Sequence, residues 1–459
     1  MIGSINGRVP RDYHHDDHDD YPQRGRVWVD VGVTRTPATT DTALATRRGP
    51  FSFPGLPIME ALVHTVPKVL CSSEAASISI ATATTQRVHG IGLLGCGTVG
   101  SSVARRLLEL HPTLLRGIAV RDPHKPRAVA WEDFDGDPFE VVDDPAVRVV
   151  VECIGGVGLA RELVLRAIAR GKDVVTANKD LIATEGPWLA AFAARTGATL
   201  RYEAAVGGAI PIVRALAGSL GTEDVLEVGG VLNGTTNFVL DAMDAGAAYD
   251  EALAQAQHLG FAESDPRADV DGHDAAHKLA ILAGLAFRRP STSGGVLRHG
   301  IAALCADDVR AGAERGWRLK LLAIAKRSGG EIEAGVTPAY VPLAHPFAQP
   351  RGAGNVVRVV GRGCGELTFA GAGAGGDPTA SAVVADVIAA LAGSEPQLAA
   401  HAGEDLVTRP LRARVLIRFD GGSVVTPEPV PLDQLEATAR VYGVHGAVRA
   451  VIPVWSDAA

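Results

Sequence analysis

The chain has 459 residues, of which 47% are hydrophobic, and its formal net charge is −8. This length predicts two or three domains with a large buried core, and a negative charge without a basic stripe argues against nucleic-acid binding. Five scattered cysteines indicate a reduced, cytoplasmic protein, and no apolar run approaches the roughly 18–20 residues that span a bilayer.

Residues 1–87 differ in composition from the rest of the chain. The segment 12–21 combines three histidines with five acidic residues, and later parts are rich in Ser, Thr, Pro and Ala. Metal binding by this segment is one interpretation. A solvated, disordered extension is the one we favour, because such a composition buries little apolar surface. The segment also lacks the continuous apolar core of a signal peptide.

The next stretch predicts a buried strand over residues 91–94, a glycine turn and a helix from about Val99. Gly95, Gly97 and Gly100 form the pattern G-x-G-x-x-G, which is typical of dinucleotide binding. In that pattern the first glycine permits a tight turn, the second lets the backbone approach a pyrophosphate, and the third lets the helix pack on the strand. The pattern alone is weak evidence, but both flanks have the required type.

A second strand is predicted over residues 117–120, and it ends where a ribose-binding acid is expected. Asp122 is that acid, but Arg121 precedes it, and Lys125 and Arg127 follow. Arginine at this place suits a 2′-phosphate, so the sequence favours NADP over NAD. The alternative is an ordinary charged loop at the edge of the sheet.

Two further strands end in polar or glycine-rich turns. A β-branched run over residues 147–153 is followed by Ile154 and two glycines, and a strand over 173–176 is followed by Asn178 and Lys179. The right-handed crossover rule places these carboxyl ends at one edge of a parallel sheet. We therefore expect one ligand-binding crevice there.

Two turns in the middle of the chain can each be explained either by a structural role or by a role in a site. After a predicted strand over 200–203, the Glu203 carboxylate and a Gly-Gly turn either bind a monovalent cation or serve only the backbone. After a predicted strand over 225–232, Asn233 or Thr235 either caps the following helix or belongs to the site.

An apolar helix beginning near residue 272 carries Asp274 and Lys278. Their spacing of four residues places both on one helix face. A solvent-facing ion pair is the alternative, but the rest of the helix is apolar, and the preceding loop holds Glu263, Asp265, Asp269 and Asp271. A lysine buried among carboxylates can donate a proton to a developing alkoxide.

Taken in chain order, the motifs from about residue 88 to about residue 392 resemble those of homoserine dehydrogenase. The matching segments are GLLGCGTVG, the E-x-IGG turn at 152–156, TANK, EAAVGGAIP, LNGTTN, GFAESDP, DGHDAAHKLAIL and GAGAGGDPTASAVVADV at 371–387. The resemblance implies reversible, NAD(P)-linked reduction of L-aspartate 4-semialdehyde to L-homoserine, in the biosynthesis of threonine, methionine and isoleucine.

The resemblance also implies roles for individual residues. Lys278 matches the proton donor, and Asp274, Asp269 and Glu263 would bind the substrate's polar groups, with Glu263 on its ammonium. Lys179 would lie where cofactor and substrate meet, orienting the aldehyde or sharing the acid role. The implied cofactor-binding positions are Gly95, Gly97, Thr98, Val99, Gly100, Arg121, Lys125, Ile154, Gly155, Lys179, Gly260 and Gly375.

A sodium ion and a second subunit follow from the same resemblance. In the family the ion is structural, and the matching positions here are Glu203, Val206, Gly208 and Ile210. The catalytic sheet of the family pairs with that of another subunit, so we expect a homodimer or homotetramer.

The expected fold is α/β. A Rossmann domain covers 88–215 and 371–392, and an α+β catalytic and dimerisation domain with a mixed sheet covers 216–370. Residues 405–459 form a small α/β tail, an ACT-like remnant with strands at 412–419 and 447–454 and a helix at 432–442. Because this tail is too short for a complete regulatory ACT domain, feedback inhibition by threonine is in doubt.

Two other functional classes compete with this interpretation. A semialdehyde dehydrogenase acting through a thioester needs a cysteine in the catalytic half that a histidine activates. Cys153 lies at a strand end in the cofactor domain, and Cys305 and Cys364 have no obvious histidine partner. A nucleotide-sensing module without catalysis would not need Lys179 and Lys278, so their presence argues against it.

Overall fold

The computed structural model describes residues 90–394, 404–443 and 446–455. The extension predicted over residues 1–87 lies outside these described residues. The architecture is a parallel sheet with helices and a second, mixed sheet, which confirms the predicted α/β class.

The first sheet is a six-stranded parallel sheet of the Rossmann type, in the order β3-β2-β1-β4-β5-β6. Its strands are β1 (Gly90–Leu94), β2 (Leu115–Ala119), β3 (Phe134–Asp135), β4 (Val147–Glu152), β5 (Asp173–Thr176) and β6 (Leu200–Arg201). Its helices are α1 (Thr98–Leu110), α2 (Pro138–Asp143), α3 (Gly158–Ala169), α4 (Lys179–Thr196) and α5 (Ile212–Ala217). The central strands are buried on both faces, as their β-branched composition predicts.

The second sheet contains eleven strands of mixed direction. The strands before the tail are β7 (Val225–Val231), β8 (Leu297–Arg298), β9 (Trp317–Ser328), β10 (Glu331–Pro342), β11 (Gly354–Gly361) and β12 (Gly365–Ala372). The helices of this part are α6 (Gly234–Asp244), α7 (Tyr249–His258), α8 (Arg267–Val270), α9 (His273–Phe287) and α10 (Ala306–Ala313). Helix α11 (Gly376–Leu391) then returns to pack against α1 of the first sheet.

The C-terminal tail extends the second sheet, a position that the sequence left open. Its elements are β13 (Thr408–Pro410), β14 (Arg412–Phe419), β15 (Gly422–Val425), β16 (Val430–Pro431), α12 (Leu435–Tyr442) and β17 (Val448–Val454). The strand order β9-β10-β17-β14-β15 makes the tail continuous with the catalytic sheet.

Several predicted boundaries are wrong by a few residues. Strand β6 ends at Arg201, because the chain enters a 3-10 turn at Glu203. The start predicted for the tail helix is a 3-10 turn over Leu432–Gln434, and α12 proper follows it. The sequence analysis also missed β15, which pairs with β14 across a two-residue turn containing Gly421 at φ +92°.

Helix α9 lies in the interior of the catalytic half. Twelve of its fifteen residues are buried, so this helix is apolar on nearly every side. Its few polar side chains are therefore held inside the protein. Among the described residues, no helix is long and apolar enough to cross a membrane.

Candidate active site

The glycine turn between β1 and α1 has the geometry that a dinucleotide requires. Gly95 has φ +91°, and a Cβ there would lie 2.7 Å from the Cys153 carbonyl oxygen. A Cβ on Gly100 would lie 2.0 Å from the Gly95 oxygen, whereas a Cβ on Gly97 would meet nothing within 4 Å. Packing thus explains Gly95 and Gly100, and Gly97 faces open space at the N-terminus of α1, as a ligand cradle requires. Thr98 and Val99 form the first turn of that helix.

The turn after β4 is organised by a buried acid that the sequence analysis did not single out. Glu152 is buried at the end of the strand. Its Oε1 accepts the backbone N–H groups of Ile154 at 2.8 Å and Gly155 at 3.0 Å. Its Oε2 accepts the hydroxyl of Thr176 at the end of β5. One carboxylate therefore joins two neighbouring strand ends at the cofactor edge of the sheet.

This network continues to the first turn of α4. The Asn178 N–H donates to Thr176 Oγ1 at 2.9 Å, and Asn178 Oδ1 caps the helix by accepting the Leu181 N–H at 3.1 Å. Asn178 Nδ2 also donates to the Gly156 carbonyl at 2.6 Å. Lys179 is the first residue of α4, so these bonds fix the backbone from which its side chain projects.

Lys179, Asp274 and Lys278 meet in one cluster. Asp274 Oδ2 accepts from Lys278 Nζ at 2.7 Å, and Asp274 Oδ1 lies 3.3 Å from Lys179 Nζ. Lys278 Nζ also donates to the Leu232 carbonyl at 2.8 Å. The cluster therefore joins a lysine of the nucleotide-binding half to an acid and a lysine of the catalytic half.

The electrostatics of this cluster keep its charges in place. Burial acts to raise the pKa of Asp274, but the charges of Lys278 and Lys179 outweigh burial and hold that pKa below its ordinary value. The Asp274 carboxylate in turn raises the pKa of Lys179, against the opposing effect of burial. A carboxylate between two ammonium groups is thus stable in this buried place.

Asn233 performs both functions that the sequence left open. Its Oδ1 caps α6 by accepting the Thr236 N–H at 2.8 Å. Its Nδ2 donates to Asp274 Oδ2 at 2.8 Å and to Asp269 Oδ1 at 2.6 Å. Burial and the charge of Asp274 raise the pKa of Asp269. A capping signal in the sequence gave no indication of this second function.

The acidic side chains of the loop before α9 differ in whether they contact the cluster. Asp269 belongs to it through Asn233. Asp265 instead pairs with Arg267 on the surface at 2.5 Å. Glu263 is exposed, and among the described residues its side chain makes none of the contacts that join the cluster. Gly260, in the same loop, has φ +75°.

The loop after β2 exposes the basic residues that the sequence assigned to the cofactor. Arg121 and Lys125 are exposed. The Asp122 carboxylate, in the place of the ribose-binding acid, accepts the N–H of His124 in its own loop at 2.9 Å. Gly375 lies at the N-terminal cap of α11 with φ +116°.

The turn predicted to bind sodium is built around the buried Glu203. Its carboxylate accepts the N–H groups of Val213 at 3.1 Å and Arg214 at 2.8 Å. Burial, and then the carboxylate of Asp386, raise the pKa of Glu203 to about 7. Because both oxygens of this carboxylate already accept N–H groups at the start of α5, a cation at the turn would be bound by the backbone carbonyls near Val206, Gly208 and Ile210. Gly208 has φ +56° there.

Comparisons with known proteins agree along the chain. A family model described as "Homoserine dehydrogenase, NAD binding domain" matches residues 95–203, and one described as "Homoserine dehydrogenase" matches residues 211–388. Homoserine dehydrogenase of Corynebacterium glutamicum is 46% identical over 317 residues, which cover 66% of this chain and 71% of that one. The chain belongs to the homoserine dehydrogenase family.

Solved homoserine dehydrogenases share the fold. That of Thiobacillus denitrificans matches with a TM-score of 0.73 and 35% identity, over 80% of this chain and 98% of that one. A hyperthermophilic archaeal homoserine dehydrogenase, solved in complex with NADPH, matches with a TM-score of 0.58 and 26% identity, over 67% of this chain and 99% of that one.

The family membership gives the activity. The protein is an NAD(P)-dependent oxidoreductase that interconverts L-aspartate 4-semialdehyde and L-homoserine. The competing thioester chemistry finds no support in Cys153, because burial raises the pKa of that thiol far above its ordinary value. Cys305 Sγ donates to the Asp308 carboxylate at 3.2 Å, so the partner of this thiol is an acid and not the histidine that the thioester chemistry needs.

Proposed function

We propose that Lys278 is the proton donor of this homoserine dehydrogenase and that Asp274 and Lys179 complete its catalytic group. The observation that carries the proposal is the buried Asp274 carboxylate, bound to Lys278 at 2.7 Å and to Lys179 at 3.3 Å. Such a group holds two positive charges beside the position of a developing alkoxide.

The bound nicotinamide cofactor supplies the hydride that reduces the aldehyde carbon. Lys278 donates a proton to the aldehyde oxygen as the alkoxide develops, and it takes that proton back in the oxidation of homoserine. Asp274 holds the ammonium of Lys278 in place through their hydrogen bond. Lys179 keeps its proton, because Asp274 raises its pKa, so its role is to orient the aldehyde by charge.

The substrate's own charges need partners on the catalytic side. Asp269 and Asp274 both accept from Asn233 Nδ2, which supports a role for Asp269 in binding polar groups of the substrate. Glu263, which is exposed in the neighbouring loop, binds the ammonium group of the substrate. A carboxylate is the natural partner of an ammonium group.

The cofactor would be held by the glycine turn, the turn after β4 and the N-terminus of α11. Gly97 leaves room for a pyrophosphate at the N-terminus of α1, which supports this assignment. Arg121 and Lys125 are exposed at the position of the ribose, and Asp122 is occupied by its own loop. These three observations favour NADP over NAD.

Further assignments extend the family's properties to this chain. A sodium ion binds the backbone carbonyls of the turn at Glu203, Val206, Gly208 and Ile210. The catalytic sheet pairs with another subunit in a homodimer or homotetramer, and the edge strand β12, whose residues are largely exposed, is available for that contact. The four free cysteines of the described residues fit a reducing, cytoplasmic environment.

The proton-donor role is tested by comparing two lysine variants. Lys278→Ala should lower kcat by roughly 10²–10⁴-fold, with the Kd for NADPH unchanged. Lys278→Arg should restore little activity, because a guanidinium is a poor proton donor. Lys179→Ala should disturb both cofactor binding and rate. A Lys278→Ala enzyme with near-normal kcat beside an inactive Lys179→Ala enzyme would transfer the acid role to Lys179.

A further inference from the structure

A buried asparagine lies next to the backbone carbonyl that Lys278 contacts. Asn355 is the second residue of β11 and is 2% exposed. The antiparallel register pairs Val356 with Val231, so that Asn355 lies beside Leu232 at the end of β7. Asn355 Nδ2 donates to the Leu232 carbonyl at 2.8 Å. Neither the motif at residues 232–237 nor the helix spacing identified this residue.

The Leu232 carbonyl therefore accepts two donors. The second is Lys278 Nζ, also at 2.8 Å, and the same ammonium donates to Asp274 at 2.7 Å. An ammonium group has three N–H bonds. Because two of them are directed to Leu232 and Asp274, only the third remains for the substrate oxygen. Its direction is set by the positions of the first two acceptors.

The orientation of the Asn355 amide follows from its surroundings. Only Nδ2 can face the Leu232 carbonyl, because Oδ1 is an acceptor. Oδ1 is buried and has no hydrogen-bond partner among the described residues, an arrangement that is unfavourable for folding. A Cβ on Gly373 would lie 2.1 Å from Asn355 Cγ, so glycine at 373 is what leaves room for the amide. An apolar side chain at 355 would avoid the unpaired oxygen. Stability alone therefore does not explain the amide, whereas its hydrogen bond to the Leu232 carbonyl does.

We propose that Asn355 is a positioning residue for proton transfer. It fixes the Leu232 carbonyl, and through that carbonyl it directs the third N–H of Lys278 toward the substrate oxygen. Gly373, in the connection between β12 and α11, preserves the space that this arrangement needs. The inference rests on the proposed role of Lys278 as proton donor.

Two variants remove the contact in independent ways. Asn355→Leu removes the donor with little change of volume, and Gly373→Ala displaces the amide without changing it. Each should lower kcat by about 10-fold, the effect of one lost hydrogen bond, while the Kd for NADPH stays within about 2-fold of wild type. A fall in thermal stability with unchanged kcat in both variants would overturn the proposal.

A third variant gives a signature that a merely structural role would not produce. In Asn355→Asp, the side chain can donate to the Leu232 carbonyl only while its carboxyl is protonated. Its kcat relative to wild type should approach one at low pH and fall as pH rises and the carboxyl ionises, to the Asn355→Leu value or below it. The fall should occur at pH values where melting temperature and NADPH binding stay constant. A profile parallel to that of wild type would overturn the proposal.

Asn237→Leu is the matched control. Asn237 is also a buried amide next to β11, and it donates to the Pro350, Gly352 and Gly354 carbonyls and not to Leu232. This variant should lower the melting temperature but keep the shape of the kcat profile with pH. An inactive Lys278→Ala enzyme beside a fully active Asn355→Leu enzyme would remove the positioning role alone. Near-normal kcat in Lys278→Ala would remove both proposals.

Discussion

Lys179 Nζ lies 3.3 Å from Asp274 Oδ1, although the two residues belong to helices of different sheets. Lys179 begins α4 at the edge of the Rossmann sheet, and Asp274 lies in the first turn of the buried α9. The same two helices make a second contact, in which His277 Nδ1 lies 2.8 Å from Asp180 Oδ1. The site is therefore assembled only when the two halves of the chain are packed together.

Asp274→Asn should weaken both fold and catalysis. Removing this charge leaves Lys278 buried without its partner, and the cost to the free energy of unfolding should be about 3 kcal/mol. The value of kcat/KM should fall by about 10²-fold or more. Urea unfolding and steady-state kinetics measure the two effects. Asp265→Asn is the control, because within the described part of the chain the Asp265 carboxylate pairs with the surface residue Arg267 alone, and this variant should change neither quantity appreciably.

The effect of Asp274→Asn on stability should depend on pH in a defined direction. The folded pKa of Asp274 lies below the ordinary 3.8. Its ion pairs therefore contribute stability that is fully present above about pH 3.8 and lost as pH falls through the lower, folded value. Between about pH 5 and 9 the stability difference between wild type and variant should stay constant. A difference that varies across this range would show that Asp274, or a neighbour whose pKa it raises, such as Asp269, titrates there.

Arg121→Ala should affect one cofactor more than the other. If Arg121 binds the 2′-phosphate, its loss should raise the KM for NADPH by about 10-fold or more, because charge-assisted hydrogen bonds are lost. The KM for NADH should change little. Arg116→Ala is the control, because Arg116 is an exposed arginine within β2 and not in the loop that follows it, and this variant should alter neither KM. Equal changes for both cofactors would make Arg121 an ordinary surface charge.

Threonine at millimolar concentration should inhibit this enzyme weakly or not at all. In the described part of the tail, one helix, α12, accompanies the strands, whereas a complete ACT domain has the order βαββαβ. Initial rates at increasing threonine, together with calorimetric titration, test this expectation. Strong, cooperative inhibition would show that a partial module is sufficient for regulation.

Sodium should stabilise the enzyme more than an organic cation of the same charge. An ion that binds only the native state raises the melting temperature, and the rise grows with the logarithm of the ion concentration once that exceeds the Kd. We expect a higher melting temperature in sodium chloride than in choline chloride at equal ionic strength. Gly208→Ala should abolish the difference, because a Cβ there would lie 2.8 Å from the Ala372 carbonyl oxygen. Gly329→Ala has a similar φ of +57° but no neighbour within 4 Å, and it should keep the sodium effect.

Local periodicity predicted the parts of the site that lie close together in sequence. The glycine turn and the spacing of Asp274 and Lys278 follow from one strand-to-helix junction and from one helix face. The strand ends at residues 152 and 176 were also placed at one edge by the crossover rule. These features depend on backbone geometry over a few residues, which a sequence records directly.

Contacts between distant segments could not be predicted in the same way. The capping signal of Asn233 gave no sign that its Nδ2 binds Asp269 and Asp274, because that contact depends on how α6 and α9 pack. The acids of the loop looked equivalent, yet Asp265 is neutralised locally by Arg267. The hairpin of β14 and β15 was missed, although Asp420 and Gly421 form a typical hairpin turn.

Strand β10 has an outer edge that three separate pieces of chain cover. Strand β13 pairs with residues 332–334, β8 with residues 335–336, and β17 with Tyr340, all in parallel. Two of these pieces belong to the C-terminal tail. Proteolytic loss of the tail would expose unpaired N–H and C=O groups along this edge, a template for strand addition between molecules. The tail thus covers an edge that is otherwise open to strand addition, and we expect cleavage near residue 404 to produce aggregates.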